Sequence, residues 1–207
     1  MKAIIFDVDN TLIDWQDEFI FALKKLLKEI DPFIKEEKIK EIDYVIDSNE
    51  SYLKELNKEI FLKEIKKRCN IELPDDFLDK LIDYQGDCFY EDKELIDTIK
   101  YLSKKYDLYV ISNWFTETQK KRLENMGIGK YFKKIIGADI NYFKPDKRCF
   151  DIILRMYNPN ECMYIGDKLY LDVIPALEVG MHAIWKTKEK SSEYKTIENI
   201  NELKNIL

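Results

Sequence analysis

A run of apolar residues at the start of the chain ends in two aspartates, Asp7 and Asp9, that are separated by a single residue. The run, Met1 to Phe6, is rich in β-branched and aromatic side chains, which favours a buried strand of a parallel sheet. Open α/β sheets bind their ligands beyond the carboxyl ends of the strands. Two carboxylates this close repel each other unless one is protonated or a cation lies between them. The sequence therefore predicts a polar site at the end of this strand.

Three further polar signals each follow an apolar segment later in the chain. In chain order they are Ser112 with Asn113, Lys144, and Asp167 with Asp172. Taken alone, each is compatible with a structural role: the hydroxyl and amide could form a turn, Lys144 could lie on the surface, and Asp172 could begin a helix. Because parallel strands end at one edge of a sheet, the combination predicts a single site.

About a hundred residues separate the first two signals, far more than one crossover between parallel strands requires. Apolar residues recur at helical spacing through this region, without a strand candidate among them. Helices are predicted near residues 15–30, 39–46, 52–65 (with a break near Asn57) and 73–82. The region is therefore predicted to form a small helical bundle inserted into the rest of the chain.

Strand and helix patterns alternate after residue 89. Strands are predicted near residues 109–111, 134–137, 164–166 and 182–185, and helices near residues 95–102, 116–126, 150–157 and 171–179. This alternation is typical of an α/β protein with a doubly wound parallel sheet and right-handed crossovers. Gly127 follows the second of these helices, where it can end the helix in left-handed geometry.

The order of the polar residues resembles the motifs of the haloacid dehalogenase (HAD) superfamily. Those motifs are Asp-x-Asp-x-Thr, then Ser or Thr, then Lys, then Gly-Asp-x-x-x-x-Asp, and here the first includes Thr11. The resemblance covers nearly the whole chain. It implies a Rossmann-like core formed by residues 1–14 and 90–207, with an α-helical cap of the C1 type inserted at residues 15–89.

The resemblance also implies catalytic roles. Asp7 would be the nucleophile that forms an aspartyl-phosphate, and Asp9 would protonate the leaving oxygen and then deprotonate water. Ser112, Asn113 and Lys144 would contact the phosphoryl oxygens, with Lys144 acting in catalysis as well as binding.

A divalent cation would offset the repulsion between the aspartates and a phosphate dianion. Mg²⁺ prefers hard oxygen ligands, and the resemblance implies that Asp7, the backbone carbonyl of Asp9, and Asp167 supply them. Asp172 would orient Lys144 or a metal-bound water, and Thr11 would cap or brace the first loop.

Several functions fit this pattern. A Mg²⁺-dependent phosphatase acting on a small phosphomonoester is favoured, because 2-haloacid dehalogenases use the same nucleophile but lack the aspartate corresponding to Asp9. A phosphomutase remains open, since it differs mainly in keeping water out of the site. A phospho-signalling receiver fits poorly in motif order and length, and a non-catalytic binding protein with the same fold is a further alternative.

Composition limits the other possibilities. The 207-residue chain carries a net charge of −6, which opposes nucleic-acid binding, and it has no apolar stretch long enough to span a membrane. Its four cysteines have no metal-binding or redox spacing. The single histidine, His182, excludes a histidine metal cage and is expected to pack in a strand.

These features predict a cytoplasmic enzyme, because the first motif begins too early to leave room for a leader sequence. The expected partner is a small phosphorylated metabolite, with neither nucleic acid nor membrane, and the protein is expected to be a monomer or homodimer. Trp15, Gln16 and Trp114 lie next to motif residues and are candidates for lining the substrate pocket.

Overall fold

The computed structural model describes residues 1–48, 55–88 and 91–207, and its strands form one parallel sheet. In chain order the strands are β1 (Ala3–Phe6), β2 (Asp107–Ile111), β3 (Phe132–Ile136), β4 (Cys162–Gly166), β5 (His182–Lys186) and β6 (Thr196–Ile197). Across the sheet their order is β3-β2-β1-β4-β5-β6, so the chain winds outwards from β1 in both directions. The predicted α/β fold, a Rossmann-like doubly wound parallel sheet, is confirmed.

The helices fall into two groups along the chain. Within the described residues five helices lie between β1 and β2, and the first four form one block: α1 (Trp15–Ile30), α2 (Glu36–Asp47), α3 (Lys58–Cys69) and α4 (Phe77–Gly86). The others alternate with strands: α5 (Lys93–Leu102), α6 (Thr116–Asn125), α7 (Asp151–Leu154), α8 (Ile174–Glu178) and α9 (Leu203–Ile206). We refer to α1–α4 as the helical insertion.

β1 is buried along its whole length because it lies between β2 and β4. Ile4 and Phe6 join a hydrophobic cluster with residues of α5 and α6, whereas Ala3 and Ile5 join one with residues of α7 and α8. Because successive side chains of a strand point to opposite faces, β1 contributes to the hydrophobic clusters on both faces of the sheet. Each buried isoleucine or phenylalanine side chain contributes about 1.5–3 kcal/mol, which fixes the strand that leads into the first motif.

The helical insertion has its own hydrophobic cluster, which also includes residues from loops of the sheet domain. Phe19, Phe61 and Phe77 are fully buried in it, together with Trp114 and Phe115 from the loop after β2. The insertion therefore packs directly on the loop that carries the second motif. The predicted domain division at residues 14/15 and 89/90 stays a prediction, and residues 89 and 90 lie outside the described ranges.

Several predicted helices differ in extent. The segment predicted at 52–65 contains α3, which begins at Lys58, directly after the break predicted near Asn57; the Asn57 side chain accepts from the N–H groups of Glu59 and Ile60. Residues 52–54 lie outside the described ranges. The helix predicted at 150–157 is the shorter α7. The helix predicted at 171–179 starts as a π-helical turn over Leu169–Val173 that continues into α8. β6 and α9 were not predicted from the sequence.

Two expectations about single residue types can be compared with the structure. Cys69, Cys149 and Cys162 are buried free thiols and Cys88 is partly buried, in line with reduced core residues. The packing role expected for His182 is wrong: its side chain is exposed at the start of β5, with Nε2 3.1 Å from the carbonyl oxygen of Asn160. No helix within the described residues combines the length and apolar character needed to cross a membrane.

Candidate active site

A tight loop follows β1 and carries the first motif. The carbonyl oxygen of Val8 accepts hydrogen bonds from the three N–H groups of residues 11–13, at 2.8–3.1 Å. Asn10 adopts the left-handed conformation with φ 59°, which asparagine tolerates better than most residues. This reversal ends the strand and places Asp7 and Asp9 beside the same cavity.

Lys144 lies between two buried carboxylates. Its ammonium group donates to Oδ1 of Asp7 at 2.7 Å, to Oδ1 of Asp172 at 2.6 Å and to the hydroxyl of Tyr164 at 3.0 Å. The side chains of Lys144, Asp7 and Asp172 are 3%, 8% and 1% exposed. The sequence separates these residues widely, and the sheet brings them together at the carboxyl ends of β1 and β4.

The charges in this cluster shift one another's pKa values. Although burial lowers the pKa of Lys144, the carboxylates of Asp172 and Asp7 outweigh it and raise that pKa well above its usual value. Burial raises the pKa of Asp7 well above the usual range, against the opposing effect of Lys144, and the neighbouring aspartates add to the increase. Lys144 therefore stays charged, while Asp7 lacks enough positive charge around it.

Asp167 completes an acidic cluster. Carboxylate oxygens of Asp7, Asp167 and Asp172 lie within 4.8 Å of one another. Burial, followed by the charge of Asp172, raises the pKa of Asp167 to about 7. The hydroxyl of Thr11 lies 3.4 Å from Oδ2 of Asp7 and 3.5 Å from Oδ1 of Asp167, so it braces the two carboxylates from the first loop.

The donor set fits a divalent cation. Asp172 is engaged at both oxygens, since Oδ1 pairs with Lys144 and Oδ2 accepts the backbone N–H of Lys168 at 3.0 Å. This leaves Asp7 and Asp167 as the carboxylates of the cluster that could hold a cation, with hard oxygens of the kind that Mg²⁺ prefers. The carboxylate of Asp9 is not part of this cluster, and the predicted contribution of its backbone carbonyl stays a prediction.

The side chain of Asp9 faces helix α6 instead. Its Oδ1 accepts from Nη1 of Arg122 at 2.6 Å, and its Oδ2 accepts from Nε2 of Gln119 at 2.6 Å. Each aspartate of the first motif thus has its own cation, Lys144 for Asp7 and Arg122 for Asp9. This pairing relieves the repulsion that the sequence indicated.

The residues of the second motif organise the site. Asn113 donates from Nδ2 to the carbonyl oxygen of Lys144 at 3.0 Å and accepts from its N–H at 2.8 Å, so its amide holds the Lys144 backbone in place. Ser112 accepts from Nε2 of Gln119 at 2.9 Å and is 2% exposed. Their predicted contacts with substrate stay predictions.

The motif residues surround a cavity of about 50 Å³, which is room for several water molecules. Trp15 and Trp114 line it and also pack against each other edge to face, with ring centroids 5.0 Å apart. From the helical insertion, Ile46 and Asp47 at the end of α2 line it as well. Gln16 is exposed and is not among the lining residues in the described part of the chain.

The profile of the haloacid dehalogenase-like hydrolase family matches residues 1–180. The chain belongs to this family. The resemblance seen in the sequence is thereby confirmed, and the protein is an enzyme of the hydrolase class.

Individual HAD relatives agree with this assignment. The chain is 29% identical to the glyceraldehyde 3-phosphate phosphatase of Methanothermobacter thermautotrophicus over the full length of both. It is 26% identical to the pyrimidine 5'-nucleotidase PynA of Streptococcus pneumoniae, over 89% of this chain and 83% of that protein. The magnesium-bound structure of the HAD hydrolase YfnB from Bacillus subtilis is similar in fold, with a TM-score of 0.79 at 21% identity, covering 100% of this chain and 98% of that one.

Sequence reasoning missed three polar residues of this HAD site, namely Glu18, Gln119 and Arg122. Gln119 and Arg122 are three residues apart on α6, so they share one face of the helix, and that face also carries Leu123 towards the core. The signal in the sequence was that Gln119 and Arg122 fall on the same helical face as the apolar Leu123, where buried residues are expected. It was hidden because α6 is rich in charged residues that resemble a solvated surface.

Proposed function

We propose that the protein is a Mg²⁺-dependent phosphatase that hydrolyses a small-molecule phosphomonoester through an aspartyl-phosphate on Asp7. The observation that carries the proposal is the position of Asp7, whose carboxylate lies in a cavity within hydrogen-bond distance of the Lys144 ammonium. The relatives named as phosphatases and nucleotidases support the reaction class.

In the first half-reaction, a carboxylate oxygen of Asp7 attacks phosphorus, and the bond from phosphorus to the leaving oxygen breaks. The Lys144 ammonium binds phosphoryl oxygens, where negative charge accumulates in the transition state. Asp9 donates a proton to the leaving oxygen. In the second half-reaction, Asp9 takes a proton from a water whose oxygen attacks phosphorus. The bond from phosphorus to the Asp7 oxygen breaks, which restores the Asp7 carboxylate and releases inorganic phosphate.

Asp7 and Asp167 would hold the Mg²⁺ ion, together with the backbone carbonyl of Asp9. When bound, the ion neutralises charge on the phosphate and on the surrounding carboxylates. The raised pKa values of Asp7 and Asp167 support this assignment, because they show a cluster with too little positive charge for its acids.

Asp9 separates this proposal from the 2-haloacid dehalogenase alternative. A 2-haloacid dehalogenase needs no proton donor at this position, yet here both oxygens of Asp9 are held by side chains of α6. A carboxylate at this position whose orientation is fixed at both oxygens favours acid–base chemistry over displacement of halide. A phosphomutase would use the same residues and is distinguished by its products.

The helical insertion would supply contacts to the leaving group, as the predicted cap. Trp15, Ile46 and Asp47 reach the cavity from its helices. Exchange of this segment for that of a relative is expected to change substrate preference and to preserve metal dependence.

The test is hydrolysis of p-nitrophenyl phosphate by the purified protein with Mg²⁺ and with excess EDTA. Asp7→Asn should abolish turnover because the amide cannot form the acyl phosphate, and Asp9→Asn should lower it severely. Asp97→Asn, at an exposed position of α5, is the matched control and should retain activity. Full activity in EDTA or in Asp7→Asn would refute the proposal.

A panel of phosphorylated metabolites then identifies the substrate class. It should include pyrimidine nucleotides and glyceraldehyde 3-phosphate, because relatives are named for these compounds. The proposed cytoplasmic location, the absence of nucleic-acid and membrane partners, and the monomer or homodimer state need separate tests, such as fractionation and light scattering.

A further inference from the structure

Arg122 is a buried charge that connects two parts of the molecule. Its side chain is 1% exposed. Nη1 donates to Oδ1 of Asp9 at 2.6 Å, and Nε donates to Oε2 of Glu18 at 2.8 Å. Asp9 belongs to the loop after β1, whereas Glu18 belongs to α1 of the helical insertion. One guanidinium group therefore binds the first motif and the insertion at the same time.

Gln119 fixes the remaining atoms of this network. Its Oε1 accepts from Nη1 of Arg122 at 2.8 Å, so its Nε2 must face the other way. There it donates to Oδ2 of Asp9 at 2.6 Å and to Oγ of Ser112 at 2.9 Å. Both oxygens of Asp9 are thus held, and the orientation of its carboxylate is defined by α6.

The geometry of a planar guanidinium makes this connection directional. The N–H donors of an arginine are held in one rigid, planar fork. If one carboxylate partner shifts and the guanidinium follows it, the donors that face the other carboxylate turn as well. Arg122 also packs near the face of Trp15, the first residue of α1, with its Cζ 6.0 Å from the ring centroid. Both contacts to the insertion come from α1, so the position of α1 affects the group that holds Asp9.

We propose that Arg122 is a positioning residue that orients the carboxyl group of Asp9 for proton transfer, and that Glu18 anchors it to the helical insertion. The inference rests on the proposed phosphatase function. Arg122 itself touches neither the phosphoryl group nor the metal ligands of the cluster. Its effect is exerted through Asp9, which can deliver a proton to the leaving oxygen only from a defined orientation.

This role can be separated from a purely structural one by varying the leaving group. Phenoxide is a much poorer leaving group than p-nitrophenolate, so hydrolysis of phenyl phosphate depends more on proton donation than hydrolysis of p-nitrophenyl phosphate. The value of kcat/KM covers the steps up to departure of the leaving group, and so excludes the second half-reaction. The ratio of kcat/KM for the two substrates therefore reports the proton transfer from Asp9.

The experiment measures this ratio for the wild type, Arg122→Gln, Arg122→Lys and Glu18→Gln, with Mg²⁺ present. Arg122→Gln is expected to lower kcat/KM about 100-fold for phenyl phosphate and less than about tenfold for p-nitrophenyl phosphate, in line with the usual contribution of a general acid. Arg122→Lys should recover part of the loss, because it restores the charge without the fork. Glu18→Gln should show the same bias at about threefold or more.

Arg148→Gln is the matched control, because Arg148 pairs with Asp146 on the surface, and its substrate ratio should equal that of the wild type. If Arg122→Gln fails to fold, the substrate ratios of Arg122→Lys and Glu18→Gln test the inference instead. An equal fall for both substrates in these two variants would overturn the inference and leave the phosphatase proposal standing. A wild type that hydrolyses neither substrate would defeat both.

Discussion

Replacement of Lys144 by methionine tests the electrostatics of the site. Methionine keeps the length of the side chain but removes the ammonium group that lies 2.7 Å from Asp7 and 2.6 Å from Asp172. Two carboxylates that are 8% and 1% exposed would then lack their shared cation. Removing one partner from a buried ion pair costs about 3–5 kcal/mol, because the remaining charge is desolvated.

We therefore expect the Lys144→Met protein to lose about 3–5 kcal/mol of unfolding free energy at pH 8 without metal. With a urea slope of about 3 kcal/mol per molar, the midpoint of urea unfolding falls by about 1–2 M. Some native contacts remain, since Asp172 still accepts the N–H of Lys168. Urea titration followed by circular dichroism measures the difference.

The loss should depend on pH. The pKa of Asp7 is raised even with Lys144 present, so this carboxyl group becomes neutral at lower pH and then needs no cation. The destabilisation is expected to be smaller at pH 5 than at pH 8.

Lys147→Met is the control for this prediction. Lys147 pairs with Glu178 at 3.0 Å, but the two side chains are 53% and 49% exposed, so its loss should cost less than about 1 kcal/mol. A similar small loss for Lys144→Met, or the same loss at both pH values, would show that the Asp7–Lys144–Asp172 cluster is not desolvated as the structure indicates.

Three further predictions concern the same site. Gly166→Ala should lower kcat at least about tenfold, because the new Cβ would lie 2.4 Å from Cγ of Asp172 and displace Lys144. An unchanged kcat would contradict this. The control is Gly127→Ala, whose new Cβ meets no atom within 4 Å and should alter stability but not kcat. Mg²⁺ affinity should rise at least about tenfold per pH unit up to pH 7, because Asp167, with a pKa of about 7, must lose its proton to bind metal, and Asp7, whose pKa is also raised, must lose its own. The raised pKa of Asp167 also means that the metal-free protein loses stability as the pH rises from the acid range to about 7. Calorimetry showing a flat affinity from pH 5 to 8 would refute the assignment. Asn113→Ala removes both hydrogen bonds to the Lys144 backbone and should lower kcat more than it changes KM, as steady-state kinetics can show.

The sequence predicted the sheet and its three polar strand ends because both depend on short-range patterns. Asp7, Ser112 and Asp167 each follow an apolar run that can be recognised as a strand. If these strands are parallel, the three residues lie at the same edge of the sheet. The extent of the elements was harder to predict. The turn at Leu169–Val173 departs from a regular helix where Asp172 meets Lys144 and the Lys168 backbone, a long-range contact that local propensity does not contain.

The partner of Asp9 was not predicted for a similar reason. Arg122 lies 113 residues further along the chain, on a helix whose composition resembles a surface. Its burial follows from the packing of α4 against α6 and from its own contacts with Glu18 and Asp9, which a single sequence does not specify. Lys144 was predicted only because the motif resemblance singled it out.

The loop after β2 also affects how freely this enzyme can exchange parts with its relatives. Ser112 accepts a hydrogen bond from Gln119 and Asn113 holds the Lys144 backbone, yet the next residue, Trp114, is buried among the aromatic rings of Trp15, Phe19 and Phe61. Its indole N–H donates to Gln85 of α4 at 2.8 Å. A graft of residues 15–89 from another family member would therefore change the side chains that pack against Trp114, the residue next to Asn113. The exchange of residues 15–89 proposed above should therefore carry Trp114 with it, so that the aromatic cluster on which the insertion packs stays matched.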